Sequence, residues 1–91
     1  MSTVTECLTA ATDSVTVITG INTSGASSSH AAMCADQTAI NALVKRNVDH
    51  LVTILAYDGT DGHQPDIAGS SEDKSSYTGA ITTGNAYIAA N

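Results

Sequence analysis

The chain has 91 residues and a net charge of −6, with nine acidic side chains and three basic ones. A single domain of this size buries only roughly two-thirds of its unfolded surface, and without Phe or Trp its core must be light. Three basic side chains are too few to neutralise a nucleic-acid backbone or to hold an anionic membrane surface, so we expect neither partner.

The first predicted helix covers residues 3–20. It opens with Thr3–Glu6, a sequence typical of a capping box. Apolar residues follow at helical spacing as far as Ile18, and Gly20 suits the end of a helix. The β-branched residues at 15–19 also favour a strand, which stays open as an alternative.

A row of threonines runs beside this apolar spacing. We expect it to form a half-buried face whose hydroxyls bond to the backbone. Its members are Thr5, Thr9, Thr12, Thr16 and Thr19.

The second predicted helix covers residues 29–57 and follows a polar loop at 21–28. At 1.5 Å per residue it would be roughly 40 Å long, longer than either neighbouring helix. Neither neighbour would cover its apolar stripe alone, so either the two cover it end to end or another copy of the chain completes it, and we favour the second copy. The predicted self-association interface comprises Met33, Ile40, Leu43, Val44, Asn47, Val48, Leu51, Val52 and Leu55.

Asn47 is the one polar member of this stripe. One interpretation is an asparagine at the edge of the core, satisfied by backbone or water. The other is a residue that sets the register of a helix–helix interface, as in coiled coils.

The third predicted helix covers residues 71–89, after a loop at 58–70. Serines and acids at residues 70–73 are typical of a helix N-terminus. Gly79 and Gly84 each weaken a helix by about 1 kcal/mol relative to Ala, and Gly84 lies on the apolar face, where it permits close approach of a neighbour. We predict one all-α domain over residues 1–91, a three-helix arrangement around the long central helix.

The loop from Asp58 to Asp66 is the best candidate for a ligand site, because its carboxylates suit calcium. The EF-hand spacing is absent and Asp-Gly pairs are ordinary turn residues, so we expect a plain loop, with calcium binding left open. Cys7 and Cys34 lack zinc-type spacing; we expect two small buried thiols, and a disulfide remains an alternative.

His30 lies within about one helical turn of Cys34, but no third group completes a nucleophilic site. We therefore expect no enzymatic activity, no metal and no cofactor. We also expect no signal peptide, because no basic stretch precedes an apolar one, and no apolar run approaches the roughly 20 residues that span a bilayer. Synthesis in a cytoplasm follows from these expectations.

The segment Ser75–Asn91 reads SSYTGAITTGNAYIAAN, and the whole short chain is rich in Ser, Thr, Ala and Gly. In these features it resembles the small accessory virion proteins of tailed bacteriophages. The resemblance implies a non-enzymatic capsid decoration or cement protein, made in the host cytoplasm and located in the virion, which self-associates and docks on coat subunits. A tail or neck component is an alternative. The acidic composition also allows a small helical binding module or inhibitor.

Overall fold

A computed structural model describes residues 2–91. It contains three α-helices, α1 (Val4–Ser24), α2 (Gln37–Leu55) and α3 (Ser75–Ala90). Two short 3₁₀ turns, Gly25–Ser27 and Ser29–Ala31, connect α1 to α2. Within these residues the only β-type pairing is an isolated antiparallel bridge between Asp58 and Asp66. The predicted all-α class and the three-helix arrangement are confirmed.

The helices form an up-down-up bundle in which each one packs against the other two. Near the start of α3, the Tyr77 hydroxyl donates to the Leu8 carbonyl of α1 at 2.8 Å. Near its end, the Tyr87 hydroxyl accepts from the side-chain amide (Nε2) of Gln37 at the start of α2, at 3.0 Å. Helices α1 and α3 are therefore parallel and α2 is antiparallel to both, giving a body of 40 × 21 × 18 Å.

Helix α1 begins as the sequence predicts and ends later. The Thr3 hydroxyl accepts from the Glu6 amide at 3.1 Å, and the Glu6 carboxylate accepts from the Thr3 amide at 2.8 Å, so the capping box is confirmed. The helix continues through Gly20 and residues 21–24, which were predicted as loop, and ends before Gly25, whose φ is +56°. The strand alternative at residues 15–19 is wrong, because these residues lie inside α1.

Gly20 has a packing role in place of the predicted terminating one. A Cβ at this position would stand 2.8 Å from Cδ2 of His30. The connection after α1 folds back along the helix and lays the imidazole ring on Gly20. The glycine is needed for this close approach, and helical backbone passes through it without interruption.

Helix α2 is shorter than predicted. It begins after Asp36, whose carboxylate accepts from the Ala39 amide at 2.9 Å, and not at residue 29. Met33 consequently lies outside the helix and is 96% exposed. With 19 residues against 21 in α1, α2 is not the longest element. The prediction that neither neighbouring helix is long enough to cover its apolar stripe is therefore wrong for α1, whereas α3, with 16 residues, is shorter than α2.

Helix α3 begins at Ser75, four residues after the predicted start. The Asp73 carboxylate accepts from the Ser75 amide at 2.9 Å. Before it, the ammonium group of Lys74 donates to the Ser70 carbonyl at 2.8 Å, which holds residues 70–74 in a turn. The serines and acids therefore precede the helix and do not form its first turn.

The core is built from aliphatic and alanine side chains of all three helices, with two further residues from the connections. Ile67 is fully buried and anchors the loop between α2 and α3. The buried apolar residues are Leu8, Ala11, Ile18, Ile21, Ala31, Ile40, Val44, Val48, Leu51, Ile54, Ile67, Ala80 and Tyr87.

Gly84 lies where α3 meets the other two helices, and the predicted close approach is confirmed. A Cβ built on Gly84 would overlap Cγ2 of Val48. It would also stand 3.3 Å from a methyl group of Ile18 and 3.3 Å from one of Val44. Both α1 and α2 therefore contact the backbone of α3 at this point.

A matched pair of glycine substitutions in α3 tests this contact. We expect Gly84→Ala to lower the free energy of unfolding by about 1–3 kcal/mol, because the added methyl overpacks the core. Gly79 has nothing within 4 Å of its Cβ position, so Gly79→Ala should raise stability by up to about 1 kcal/mol through helix propensity. Urea unfolding measures both changes, and equal stabilisation by the two alanines would contradict the close packing.

Candidate functional site

Most residues of the predicted self-association stripe are buried or half-buried in the protein's own core. Four of its members, Ile40, Val44, Val48 and Leu51, are buried against the neighbouring helices. Leu43, Asn47 and Leu55 are half-buried. Met33 and Val52 are exposed, at 96% and 50%, but Met33 precedes α2 and Val52 lies near its end. The structure does not bring the nine residues together into one accessible surface.

Asn47 makes a local hydrogen bond within α2. Its side-chain amide donates to the Leu43 carbonyl, one turn earlier, at 2.9 Å. The side chain is half-buried at the edge of the core. This geometry matches the interpretation of an edge asparagine satisfied by backbone.

The aspartates of the 58–66 loop are occupied as turn caps. The Asp58 carboxylate accepts from the Thr60 hydroxyl at 2.6 Å and from the Thr60 amide at 3.0 Å. Asp61 accepts from the amides of His63 and Gln64, at 2.8 and 3.0 Å. Each carboxylate is thus directed to the backbone of its own turn. Among residues 2–91 no three potential ligands are grouped as a metal would require.

The two cysteines are free thiols. Cys7 and Cys34 are both half-buried and pack against the core. They are less buried than expected, and they do not form the alternative disulfide.

Acidic side chains concentrate at one end of the bundle. The start of α1 meets the connection between α2 and α3 here, since the Thr5 hydroxyl donates to the Glu72 carboxylate at 3.2 Å. Six of the nine acidic residues belong to these segments: Glu6, Asp58, Asp61, Asp66, Glu72 and Asp73.

Hydrogen bonds stabilise the charged form of three of these carboxylates. The Thr3 amide and hydroxyl hold the pKa of Glu6 below its ordinary value. The hydroxyl and amide of Thr60 do the same for the pKa of Asp58. The pKa of Asp73 is lowered by its hydrogen bonds from Ser75.

A hydroxyl-rich groove of about 460 Å³ lies at the opposite end of the bundle. One wall is the C-terminal half of α1 and the other is the connection that folds back over Gly20. The groove is lined by Thr16, Thr19, Gly20, Thr23, Ser24, Ser27, Ser28, Ser29 and His30. None of this groove was predicted as a site.

The threonine row of α1 supplies one wall of this groove. Its residues are exposed, so the predicted half-burial is wrong. The predicted bonds to the backbone are confirmed, because Thr12, Thr16 and Thr19 donate to carbonyls one turn earlier. The regular spacing marked this wall in the sequence, whereas the second wall depends on how the connection folds.

No protein-family model, curated protein or solved structure matches this chain. Over residues 2–91 the structure has no helix of the length and apolar character needed to cross a membrane.

The lowered pKa of Glu6 predicts an acid-dependent loss of stability. A carboxylate whose pKa is lower in the folded state stabilises the fold above its unfolded pKa, and this stabilisation is lost as the pH falls through the folded pKa. We expect the free energy of unfolding to decrease below about pH 4.5, the ordinary glutamate value.

Glu6→Gln is the matched variant, because glutamine keeps the capping box without titrating. Urea unfolding between pH 7 and pH 3 should show a smaller decrease for Glu6→Gln than for the wild type. The same decrease in both proteins would show that the hydrogen bonds to Glu6 do not contribute to the acid dependence.

Proposed function

We propose that this chain is a non-enzymatic structural protein of a tailed-bacteriophage virion, most directly a capsid decoration or cement protein. In this role it self-associates and docks on coat subunits. Two features support the proposal: the sequence resemblance in residues 75–91, and the surface that the same residues form in the bundle.

The observation that carries the proposal is the uncharged outer face of α3. None of the 16 residues of this helix is charged. Only 13% of the residues of the whole chain are charged, about half the usual share in globular proteins. The exposed positions of α3 instead carry small side chains: Ser75, Ser76, Thr78, Gly79, Thr82, Asn85, Ala86, Ala89 and Ala90.

Such a face can be covered by a partner at low cost. An Ala or Gly loses almost no side-chain entropy in an interface, whereas a long charged side chain loses about 1.5–2 kcal/mol. The hydroxyls of Thr78 and Thr82 already donate to carbonyls one turn earlier, both at 3.2 Å. A partner that covers these hydroxyls therefore does not leave a buried donor without an acceptor. The face therefore suits a flat protein surface such as an assembled coat.

Only those side chains of α2 that the core does not bury are accessible for self-association. Val52 is the main exposed apolar residue of this helix. On the helical wheel it lies near Lys45 and Asp49, which form an ion pair at 3.2 Å. An apolar contact flanked by a charged pair can join two copies and fix their orientation.

A second candidate is a small acidic binding module that presents its charged end to a basic protein. The cluster of six acidic residues at one end of the bundle favours it. Such a module would be a monomer whose complex weakens with salt, because screening acts on exposed charges. A tail or neck position in the virion shares the physical basis of the leading proposal and differs only in the partner.

Sedimentation velocity tests self-association. We expect an oligomer that persists at high salt, and we expect Val52→Asp to shift it towards monomer by placing a charge in the apolar contact. Thr53→Asp is the control, because it adds the same charge one residue away, on another face of α2. A wild-type chain that stays strictly monomeric would contradict self-association and favour the acidic module.

Purified phage particles test the virion role. We expect the chain to sediment with particles in a density gradient, and its gene to lie beside genes for portal, coat or tail proteins. Ala86→Arg should reduce its occupancy on particles at least tenfold by placing a long cation on the α3 face. Ala42→Arg, at an exposed position of α2, should not. Absence of the chain from particles would refute the proposal.

A further inference from the structure

The groove at the end of the bundle opposite the acidic cluster has a wall of hydrogen-bond acceptors. Thr16 donates its hydroxyl proton to the Thr12 carbonyl at 3.1 Å, and Thr19 donates to the Val15 carbonyl at 2.9 Å. Thr23 donates to the Thr19 carbonyl at 2.9 Å. With their protons committed, the three oxygens offer only lone pairs to a ligand in the groove.

The opposite wall keeps its hydroxyl protons. Ser27 and Ser29 of the connection line the groove, and among residues 2–91 their side chains have no hydrogen-bond partner. Ser28 is only 7% exposed, and its oxygen accepts from the His30 amide at 3.2 Å. Its proton is not donated to any protein group, so three serines can donate from this wall.

The groove is held in shape by the contact between His30 and Gly20. A Cβ at position 20 would stand 2.8 Å from Cδ2 of the imidazole ring, and both residues line the groove. The lining has no carboxylate, lysine or arginine. A cationic ligand would therefore lack a counter-charge, and His30 is the one ionisable side chain of the lining. A neutral ligand with several hydroxyls finds partners on both walls.

We propose that this groove binds a small neutral polyhydroxyl compound, either a free monosaccharide or the terminal sugar unit of a glycan. Each hydroxyl of such a ligand both donates and accepts, so it can donate to a threonine oxygen and accept from a serine hydroxyl. The volume of about 460 Å³ is in the usual range for small-molecule sites. The inference is independent of the virion role, because it uses a different surface of the bundle.

NMR titration with D-glucose tests the groove. We expect saturable shifts of the Thr16, Thr19 and Thr23 methyl resonances and of the His30 ring, with a dissociation constant in the millimolar range of about 1–10 mM. Cyclohexanol, a ring of similar size with a single hydroxyl, should give no saturable shift. Maltotriose separates the two sources, since binding as tight as that of glucose indicates recognition of a terminal unit and failure to bind indicates a free monosaccharide.

Variants that remove one hydroxyl from each wall of the groove, with a matched control outside it, test the location of the site. Thr19→Val keeps the side-chain shape and removes one acceptor, so it should weaken glucose binding roughly two- to tenfold. Ser27→Ala should have an effect of the same size from the opposite wall. Thr9→Val changes the same threonine row outside the groove and should leave the affinity unchanged. Absence of saturable shifts up to about 100 mM glucose, or equal weakening by Thr9→Val, would overturn the proposal.

Discussion

The close approach of the three helices around Gly84 is the constraint on which the rest of the structure depends. The chain has no Phe or Trp, and its core consists of Ile, Val, Leu and Ala with one Tyr. Such side chains fill the space between helices at native density only where backbones come close together. Gly84 allows this, because methyl groups of Ile18, Val44 and Val48 occupy the space of its missing side chain. A core without Phe or Trp is thereby close-packed within one chain.

The polar groups at the helix ends and in the loop after α2 are hydrogen-bonded within the chain. The carboxylates of Glu6, Asp36 and Asp73 accept backbone amides at the starts of the three helices. In the loop after α2, the buried Ile67 and its neighbour Ala68 donate their amides to the Tyr57 carbonyl, both at 2.8 Å. No buried side-chain polar atom among the described residues lacks a partner. These carboxylates are thus committed to holding the helix ends.

The sequence predicted those features that depend on neighbours along the chain. The capping box at Thr3, the three-helix count and the contact at Gly84 all follow from local spacing. The start of α2 did not, because apolar residues at 31–34 extend the helical pattern beyond the true cap at Asp36. The groove could not be predicted, since its second wall exists only when residues 25–30 fold back and His30 meets Gly20. That contact is tertiary, and no periodicity marks it.

The corrected length of α2 changes the kind of assembly that the chain can form. A stripe longer than its own neighbours would make folding depend on a second copy, as in an obligate oligomer with no stable folded monomer. The bundle instead buries Ile40, Val44, Val48 and Leu51 within one chain. Any self-association must therefore join prefolded subunits through surface contacts, so folding and assembly are separate steps. The decoration role that we propose requires this separation, because each copy would have to reach an already assembled particle folded and with its docking face uncovered.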